Sequence, residues 1–416
     1  MTRVSTSMPV TDAQISLRRK EVDIYELNLQ HQKETRIPRL SDDPVAAGQA
    51  VRFDSYLTRL NRFEKNVNFA MDHLNSAHDN LLTANDILQR LRDLSVQAAH
   101  GLYSQEDLKI MAMEVNQLLE ELVKISNMLG PDTKQAFAGD KVFTEPFRIV
   151  EGNVEGAGEV MITRVEYRGA GATRQIEIGD NMFLELDISG AQAFWAEKMK
   201  IFSSVNATDY RVQQAGAFFI NDVEIDVAVG DTLPSIVAKI NDSGAPVKAY
   251  IDIDSRGLVI EGTMAELLRI EDKVGGASVM RDLGIIAGNM QNNAPNWAVS
   301  ARVSGGSLFD MVIRLRDGML RGDQDFIGSQ GIAGIDLAIN NINYRIADLS
   351  SRKERAEFAG SRLNSQIQNT QKMLAREAGF DLAQYAMQLK AAEGAHQSIL
   401  ATSARLLPMS LLNFLR

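Results

Sequence analysis

The sequence contains no cysteine among its 416 residues. This absence excludes disulfide bonds, thiolate nucleophiles, and zinc or iron–sulfur sites that are held by cysteine. A protein that works outside the cytosol is compatible with such a composition. Any stable fold must therefore come from apolar packing, and 45% of the residues are hydrophobic, which is enough for a sizeable core.

Long apolar runs and an excess of basic residues are also missing. No stretch reaches the roughly 18 to 20 apolar residues of a membrane helix, and the N-terminal segment lacks the apolar run of a secretory signal. Acidic residues number 54 and basic residues 44, so no phosphate-binding surface is indicated. We expect no membrane insertion and no nucleic-acid partner, in a chain that stays in the cytosol or leaves it without cleavage.

The residue types that carry catalysis and metal binding form no recognisable constellation. The five histidines lie in or beside helical segments, and none belongs to an HExxH motif that would hold zinc. Asp252, Asp254 and Gly257 resemble the start of a calcium loop, but Arg256 and Thr263 stand where that loop requires ligands. A hairpin turn is the better interpretation there. The sequence predicts a protein that is not an enzyme, with no catalytic residue, no cofactor and no metal.

What the sequence does contain is a long apolar repeat. From Ala46 to Ala98, apolar residues recur at alternating steps of four and three, which predicts one continuous helix with a coiled-coil seam. A helix from Pro44 to about His100 is about 85 Å long. A rod of that length needs partner helices to cover its seam.

The residues before this helix have the chemistry of a helix cap. Ser41, Asp42 and Asp43 offer side-chain oxygens to the free amides of the first turn, and Pro44 lacks the N–H that would be unbonded there. Asp42 and Asp43 also form a carboxylate pair of the kind used in acid–base chemistry, but capping accounts for both. We expect a structural loop and cap at these four positions.

Two further segments are predicted to pack on this rod. A helix from about Gln105 to Met128 carries one apolar face and can fold back on the first helix. Far along the chain, the spacing from Ile335 to Leu374 repeats the seam and runs to a break at Gly379.

The two ends of the chain, about residues 11–34 and 382–407, each carry a single narrow apolar stripe. A lone helix with such a stripe is marginal in water, so the ends are expected to pair with each other or with copies of themselves. We also expect residues up to about 40 and after about 380 to be disordered in the free subunit and to fold on assembly. The predicted assembly interface comprises Ile15, Val22, Tyr25, Leu29, Ala386, Leu389, Ile399, Leu406, Leu412 and Leu415.

The middle of the chain differs from the ends in composition and in the spacing of its apolar residues. Glycine is frequent and apolar residues alternate, which predicts strands. Residues 217–261 have a clear local plan, with two strands about Asn221 and Asp222, a helix after Thr232, and a second hairpin about Arg256. The predicted order there is ββαββ. Residues 137–147, with Phe137, Gly139, Pro146 and Phe147, predict a hairpin or extended arm attached to the helices.

The predicted fold class is α+β. A long antiparallel helical coiled coil or bundle is formed by the N- and C-terminal segments, and a β-rich domain is inserted between them. The expected divisions are terminal assembly segments at 1–43 and 380–416, a helical rod with its arm at 44–150 and 305–379, and the insert at 151–304.

Several motifs resemble the flagellin superfamily. They are RVSTSM near the N-terminus, LSDDPVAAGQAV at residues 40–51, QAFAGDKVFTEPF at residues 135–147 and the closing MSLLNFLR. Within the superfamily the chain is most similar to the hook-associated protein 3 family of hook–filament junction proteins. That distinction depends on the Asp-Asp-Pro-Val-Ala-Ala of residues 42–47, where flagellins usually have an Asp-Asp-Ala-Ala-Gly type of sequence, and on Phe-Ala-Gly at residues 137–139.

The segment 218–241 also resembles a short repeat inserted in many flagellins and hook-associated proteins. We expect the whole motif to extend over about residues 216–287. The EYRGAGATR and FRIVEG stretches are similar to spirochaete versions, in which the flagellum lies in the periplasm. In other members the flagellum is extracellular.

The resemblance implies an exported structural subunit that passes unfolded through the flagellar type III apparatus with an export chaperone. It implies a ring of about eleven copies between hook-associated protein 1 and the filament, on which flagellin polymerises. A divergent flagellin that forms the filament itself is the main alternative. A protease carried in the insert, as in some flagellins, is opposed by the missing HExxH motif.

Overall fold

The computed structural model describes residues 8–39, 41–288 and 296–414. The described helices are α1 (Met8–Lys33), α2 (Pro44–Ala99), α3 (Gln105–Ser126), α4 (Gly190–Ala193), α5 (Leu233–Asp242), α6 (Val279–Asp282), α7 (Leu308–Arg321), α8 (Gln324–Phe326), α9 (Ile332–Ala378) and α10 (Leu382–Phe414), with a π-helical turn at Ile327–Gly331. The described strands are β1 (Phe147–Asn153), β2 (Val160–Tyr167), β3 (Gln175–Gly179), β4 (Met182–Glu185), β5 (Lys200–Ser203), β6 (Gly216–Ile220), β7 (Val223–Val227), β8 (Val247–Ile251), β9 (Leu258–Gly262), β10 (Ile270–Asp272) and β11 (Ala301–Ser304). The predicted α+β class, with long helices at both ends and a β-rich middle, is confirmed.

The chain divides into two compact units. The terminal unit comprises Met1–Lys65 with Gly360–Arg416, and the central unit comprises Asn66–Ala359. The division falls inside α2 and α9, whereas the sequence places the boundaries of the terminal segments at the ends of these helices. Among the described residues, no helix is long and apolar enough to span a bilayer.

The long helices begin and end where the sequence predicts. α2 starts at Pro44 and is followed by Gly101 in the left-handed conformation, with φ of 67°. α9 ends at Ala378, directly before Gly379. These boundaries follow from proline at the first turn and glycine just past the last, where each conformation is least costly.

In the central unit, the helical layer is held by the predicted seam. Leu74, Leu81 and Leu88 of α2 are fully buried. α2 and α9 run antiparallel there, because Arg92 Nε lies 2.6 Å from Asp336 Oδ1, while Ala99 lies beside Gly328 of the π-helical turn. α3 packs on α7.

A buried arginine joins this helical layer to a hairpin. Arg316 of α7 is fully buried, and its Nη1 donates to Asn116 Oδ1 of α3 at 2.8 Å and to the carbonyl of Ile162 in β2 at 2.7 Å. Its other donors reach Asp317 Oδ1. A buried guanidinium requires such partners, so the residue fixes β2 against α3 and α7.

The sheets of the central unit are antiparallel and small. β1 pairs with β2 and β3 with β4, while the larger sheets have the orders β10-β6-β7 and β11-β5-β9-β8. The predicted ββαββ order is confirmed as β6, β7, α5, β8 and β9. Asn221 and Asp222 have φ of 46° and 69°, the left-handed values that a two-residue hairpin turn requires.

Residues 137–147, the predicted hairpin or extended arm, form turns and no regular strand before Phe147. Only an isolated bridge, Leu129 to Gln135, precedes β1, and the remainder consists of turns. The reason is aromatic packing: Phe137 and Phe147 point inward and are fully buried, and each contacts the ring of Phe194, with centroids 5.0 and 5.3 Å apart. Pro146 is also buried. The two ends of the segment are therefore anchored in the core of the central unit, whereas residues 140–145 between them are mostly exposed. We call this segment the core loop.

Candidate assembly site at the paired chain ends

The two ends of the chain pair with each other in the terminal unit. Tyr385 of α10 donates its hydroxyl to Asn28 Oδ1 of α1 at 3.1 Å, and its ring stacks on His31 with centroids 4.9 Å apart. Further along, His396 Nε2 lies 3.8 Å from Glu21 Oε1. Residues later in α10 therefore lie beside residues earlier in α1, so the two helices are antiparallel.

The contact between these helices follows a coiled-coil rhythm of fours and threes. The half-buried positions of α1 in this rhythm, with His31 stacked on Tyr385, are Ala13, Leu17, Lys20, Ile24 and Leu27, and the buried or half-buried positions of α10 in the same rhythm are Tyr385, Leu389, Ala392, His396 and Ile399. We call these residues the seam. Among these, only Tyr385 and Ala392 are buried, and each remains 8 to 9% exposed. The seam is thus narrow and lightly packed, as expected for helices that gain further partners.

The predicted α1 stripe lies on another face of the helix. Ile15, Val22 and Tyr25 are 47%, 50% and 59% exposed, and Leu29 is half-buried. Each of these residues stands two positions before a residue of the seam. At 3.6 residues per turn, two positions rotate a side chain by about 200° around the helix axis, so the two sets lie on opposite faces. The prediction of a single stripe on this end is therefore wrong, because α1 has one apolar face toward α10 and a second toward solvent.

On α10 the predicted stripe is divided. Leu389 and Ile399 lie in the seam with α1, whereas Ala386 is exposed. Leu406 and Leu412 belong to the helical span of α10, but their side chains lie outside the described residues, as does Leu415 entirely. The role of this set in assembly stays a prediction.

A backbone clasp closes the terminal unit next to the helix pair. Thr35 forms an antiparallel bridge with Gly379, and Arg36 N–H donates to the carbonyl of Ala378 at 3.1 Å. The guanidinium of Arg36 also donates to the carbonyl of Glu377 at 2.7 Å. A cation at the free carbonyls of a helix C-terminus is favourable, so Arg36 caps α9.

The predicted loop and cap lie between this clasp and α2. Asp43 Oδ1 accepts from the amide of Ala46 at 3.0 Å, which is the N-cap interaction expected at Pro44. Asp42 instead closes the preceding turn, where it accepts from the amide of Arg39 at 3.1 Å and from the hydroxyl of Ser41. The two carboxylates therefore have separate structural partners.

A groove lies between α1 and α10, with a volume of about 410 Å³. Lys20, Asp23, Glu26 and Gln30 line one side, and small residues of α10, including Ala391 and Ala395, line the other. Mixed charge and alanine provide neither a nucleophile nor a metal cage. Within the described chain, no group of three or more histidine or acidic side chains is arranged to hold a metal ion.

The central unit holds a buried ionisable cluster away from this site. His73 of α2 is 4% exposed, and its Nε2 lies 3.7 Å from Asp132 Oδ1, beyond hydrogen-bond distance. Asp187 accepts from Arg174 Nε at 2.6 Å, and Arg174 also contacts Asp132. Burial lowers the pKa of His73, although the two carboxylates favour its charged form. The cluster ties three segments together.

Comparisons with known proteins identify two sequence modules. A family model described as the bacterial flagellin N-terminal helical region matches residues 4–142. A second model, described as the flagellin hook IN motif, matches residues 212–263, which include the ββαββ segment. Both models describe flagellin modules, and together they match less than half of the chain.

Curated proteins with sequence similarity to this chain include flagellins of Salmonella. The flagellin of Salmonella montevideo is 29% identical over 219 residues, which are 52% of this chain and 38% of the relative. The flagellin of Salmonella enteritidis is 26% identical over 265 residues, 62% of this chain and 47% of the relative. The chain thus spans less than half the length of these relatives.

Solved structures with similarity to this chain include hook-associated proteins. The flagellar hook-associated protein-3 of Legionella pneumophila has a TM-score of 0.46 and 18% identity, and the match covers 78% of this chain and 97% of that one. A putative flagellar hook-associated protein of Vibrio parahaemolyticus has a TM-score of 0.47 and 10% identity, with coverage of 81% and 100%.

The inward seam on α1 is what the sequence prediction missed. Leu17, Ile24 and Leu27 have the four-and-three spacing of a coiled coil, but Lys20 interrupts it, so the stripe through Val22 and Tyr25 is more conspicuous. A search for two offset repeats on one helix would have found both faces. The clasp at Arg36 had no local signal, because its partners are more than 300 residues away.

Proposed function

We propose that this chain is the structural subunit that joins the flagellar hook to the filament, as a ring on which flagellin polymerises. The observation that carries the proposal is the antiparallel pair of chain ends, which uses one face of α1 and leaves Ile15, Val22 and Tyr25 exposed. Such a second apolar face fits neighbouring subunits in a tube. The Asp-Asp-Pro-Val-Ala-Ala loop supports a junction protein over flagellin.

The partners in this proposal are other flagellar proteins. Copies of the chain form a ring of about eleven subunits, hook-associated protein 1 lies on the hook side, and flagellin lies on the filament side. An export chaperone delivers the chain, which resides in the flagellum, extracellular or periplasmic according to the organism. No reaction, cofactor or metal takes part, and mechanical continuity comes from helix packing.

The second candidate is a divergent flagellin that forms the filament itself. The Salmonella relatives favour it, because all those compared are flagellins. Purified subunits distinguish the two: a flagellin elongates on seeds into filaments of unlimited length, whereas a junction subunit does not. Long filaments of this chain alone would support the second candidate.

The experiment that tests the junction proposal is deletion of the gene, followed by electron microscopy of the cells. We expect hooks that lack filaments, and flagellin released into the medium, with both defects reversed when the full chain is restored. Filaments of normal length on the deletion strain would refute the proposal. Measuring flagellin in the medium separates a missing junction from a failure to synthesise flagellin.

A further inference from the structure

One sheet of the central unit has a strongly basic outer face. On the sheet β11-β5-β9-β8, directly opposed residues share a face, which places Arg302 beside Phe202, and both Lys200 and Lys248 beside Glu261. Lys198 lies just before β5 and lines the same surface. Four cations against a single carboxylate give this basic face a net charge of +3 in a chain whose formal charge is −10.

The basic face is preorganised rather than loose. Lys200 Nζ lies 4.9 and 5.4 Å from the ring centroids of Phe202 and Tyr250, and 3.3 Å from Glu261 Oε2. The lysine therefore covers both rings, which are not free to stack on a planar ligand. Lys198, Lys248 and Arg302 are exposed and form no ion pair in the described structure. A partner of this face would therefore be recognised by its negative charge, through these three cations.

A complementary feature lies elsewhere on the central unit, at the tip of the β1–β2 hairpin. The tip, residues 151–159, carries Glu151, Glu155 and Glu159, all exposed, and contains no lysine or arginine. No ion pair of these three glutamates occurs in the described structure. The hairpin is held in place at and beside its tip, because Arg316 donates to the carbonyl of Ile162 and Gly156 lies against Leu320. This acidic tip has a net charge of −3.

We propose that the acidic tip of one copy docks on the basic face of the next copy. This inference deepens the proposed function, because it assigns a lateral contact within the ring. The charges are equal and opposite, and both surfaces belong to the same chain. Since two different surfaces meet, the contact is heterologous and repeats head to tail, which is how closed rings arise. Opposite charges in such a contact set its register and partner choice more than its affinity.

Single cysteines provide a clean test, because the chain has none of its own. Asn153→Cys places a thiol on the acidic tip, and Thr263→Cys places one beside the basic face, and neither change removes a charge. The two full-length variants are mixed under mild oxidation. Their cross-linked dimer is expected at about tenfold the yield obtained when Asn153→Cys is mixed with Lys109→Cys, an exposed position on α3, because electrostatic attraction raises encounter.

Charge exchange shows whether the two surfaces recognise each other. Lys198, Lys248 and Arg302 are all replaced by Glu in the Thr263→Cys chain, and Glu151, Glu155 and Glu159 by Lys in the Asn153→Cys chain. When either reversed chain is mixed with an unreversed partner, the yield of cross-linked dimer is expected to fall to that of the control. When the two reversed chains are mixed, the yield is expected to return to that of the unreversed pair. Circular dichroism of each variant establishes that it is folded.

The inference is overturned if the cross-link equals the Lys109→Cys control, or if the doubly reversed pair does not recover. Preferential binding of a soluble anionic polysaccharide such as alginate to the basic face, without the cross-link, would also overturn it. This outcome is separable from the proposed function. A deletion strain that lacks filaments but is fully rescued by either singly reversed chain on its own would refute the contact while leaving the junction role intact.

Discussion

At the scale of single residues, one glycine shows how the core loop depends on a backbone that other residues cannot adopt. Gly139 has φ of 67°, and a Cβ there would lie 2.6 Å from the carbonyl oxygens of both Ala170 and Ala172. Backbone atoms cannot yield as a flexible side chain can. The close approach allows Ala170 N–H to donate to the carbonyl of Ala138 at 2.8 Å.

We therefore expect Gly139→Ala to lower the free energy of unfolding by about 2 kcal/mol or more, through strain and displaced backbone. Chemical denaturation monitored by circular dichroism measures the change. Gly158→Ala is the matched control, since nothing lies within 4 Å of its Cβ position. Equal stability of the two variants would contradict the geometry at Gly139.

A second residue-scale prediction concerns pH. Burial holds the pKa of His73 below the value of 6.5 in the unfolded chain, so the folded state carries it neutral. As pH falls below about 6.5, the unfolded chain binds a proton that the folded chain does not, and stability decreases. The charged groups that face His73 are Asp132, Asp187 and Arg174.

Replacing His73 by Gln removes this contribution. We expect the free energy of unfolding of the wild-type chain to decrease between pH 7 and 5.5 more steeply than that of His73→Gln. Urea titrations at several pH values provide the measurement. His78→Gln, half-buried on the same helix, serves as the control. Parallel pH profiles for His73→Gln and the wild-type chain would show that His73 does not contribute in this way.

At the scale of elements, α1 is a helix with two apolar faces and two separate tasks. Its inner face, with Leu17 and Ile24, contacts α10, and its outer face, with Val22 and Tyr25, faces solvent. Because the outer face has no described partner within the subunit, its substitution costs little in the monomer. Substitution of the inner face, in contrast, would weaken the packing of α1 on α10 in the monomer.

We expect Val22→Glu with Tyr25→Glu to abolish filament attachment while leaving the helix content and solubility of the subunit unchanged. Gln14→Glu with Ser16→Glu, exposed positions on the same helix, is the control, because it adds the same negative charge. Motility assays and counts of filaments per hook measure the effect. Normal filament numbers with the Val22 and Tyr25 variant would remove the outer face from the assembly interface.

Elements with a long regular pattern were predictable from the sequence. α2 and α9 follow from apolar spacing that spans many turns, and the ββαββ order follows from alternation with turn residues such as Asn221 and Asp222. The core loop at 137–147 was not predictable, because Phe194 and Phe309, whose rings surround Phe147, are distant in sequence. The inner face of α1 was missed because Lys20 interrupts its spacing.

At the scale of the whole molecule, stability is unevenly distributed. α2 in the central unit buries leucines completely, as at Leu74, Leu81 and Leu91. In contrast, no described side chain of α1 is buried, and in α10 only Tyr385 and Ala392 are, among those described. A seam with so little burial contributes little free energy, since apolar area removed from water is the main favourable contribution.

We predict that the chain ends, up to about residue 40 and after about residue 380, open readily in the free subunit and become ordered on assembly. Amide hydrogen exchange tests this directly. Amides of α1 and α10 should exchange fast in the monomer, while those about Leu74 to Leu91 should be protected. Strong protection of residues 389–399 in the monomer would contradict the prediction.

We propose that this chain forms the junction between hook and filament, and its position in the flagellum tests that proposal most directly. Immunogold electron microscopy of intact flagella, with an antibody raised against the central unit, measures where the chain lies. We expect gold in one short zone at the distal end of the hook. Gold along the whole filament would contradict it and identify the chain as a filament-forming flagellin.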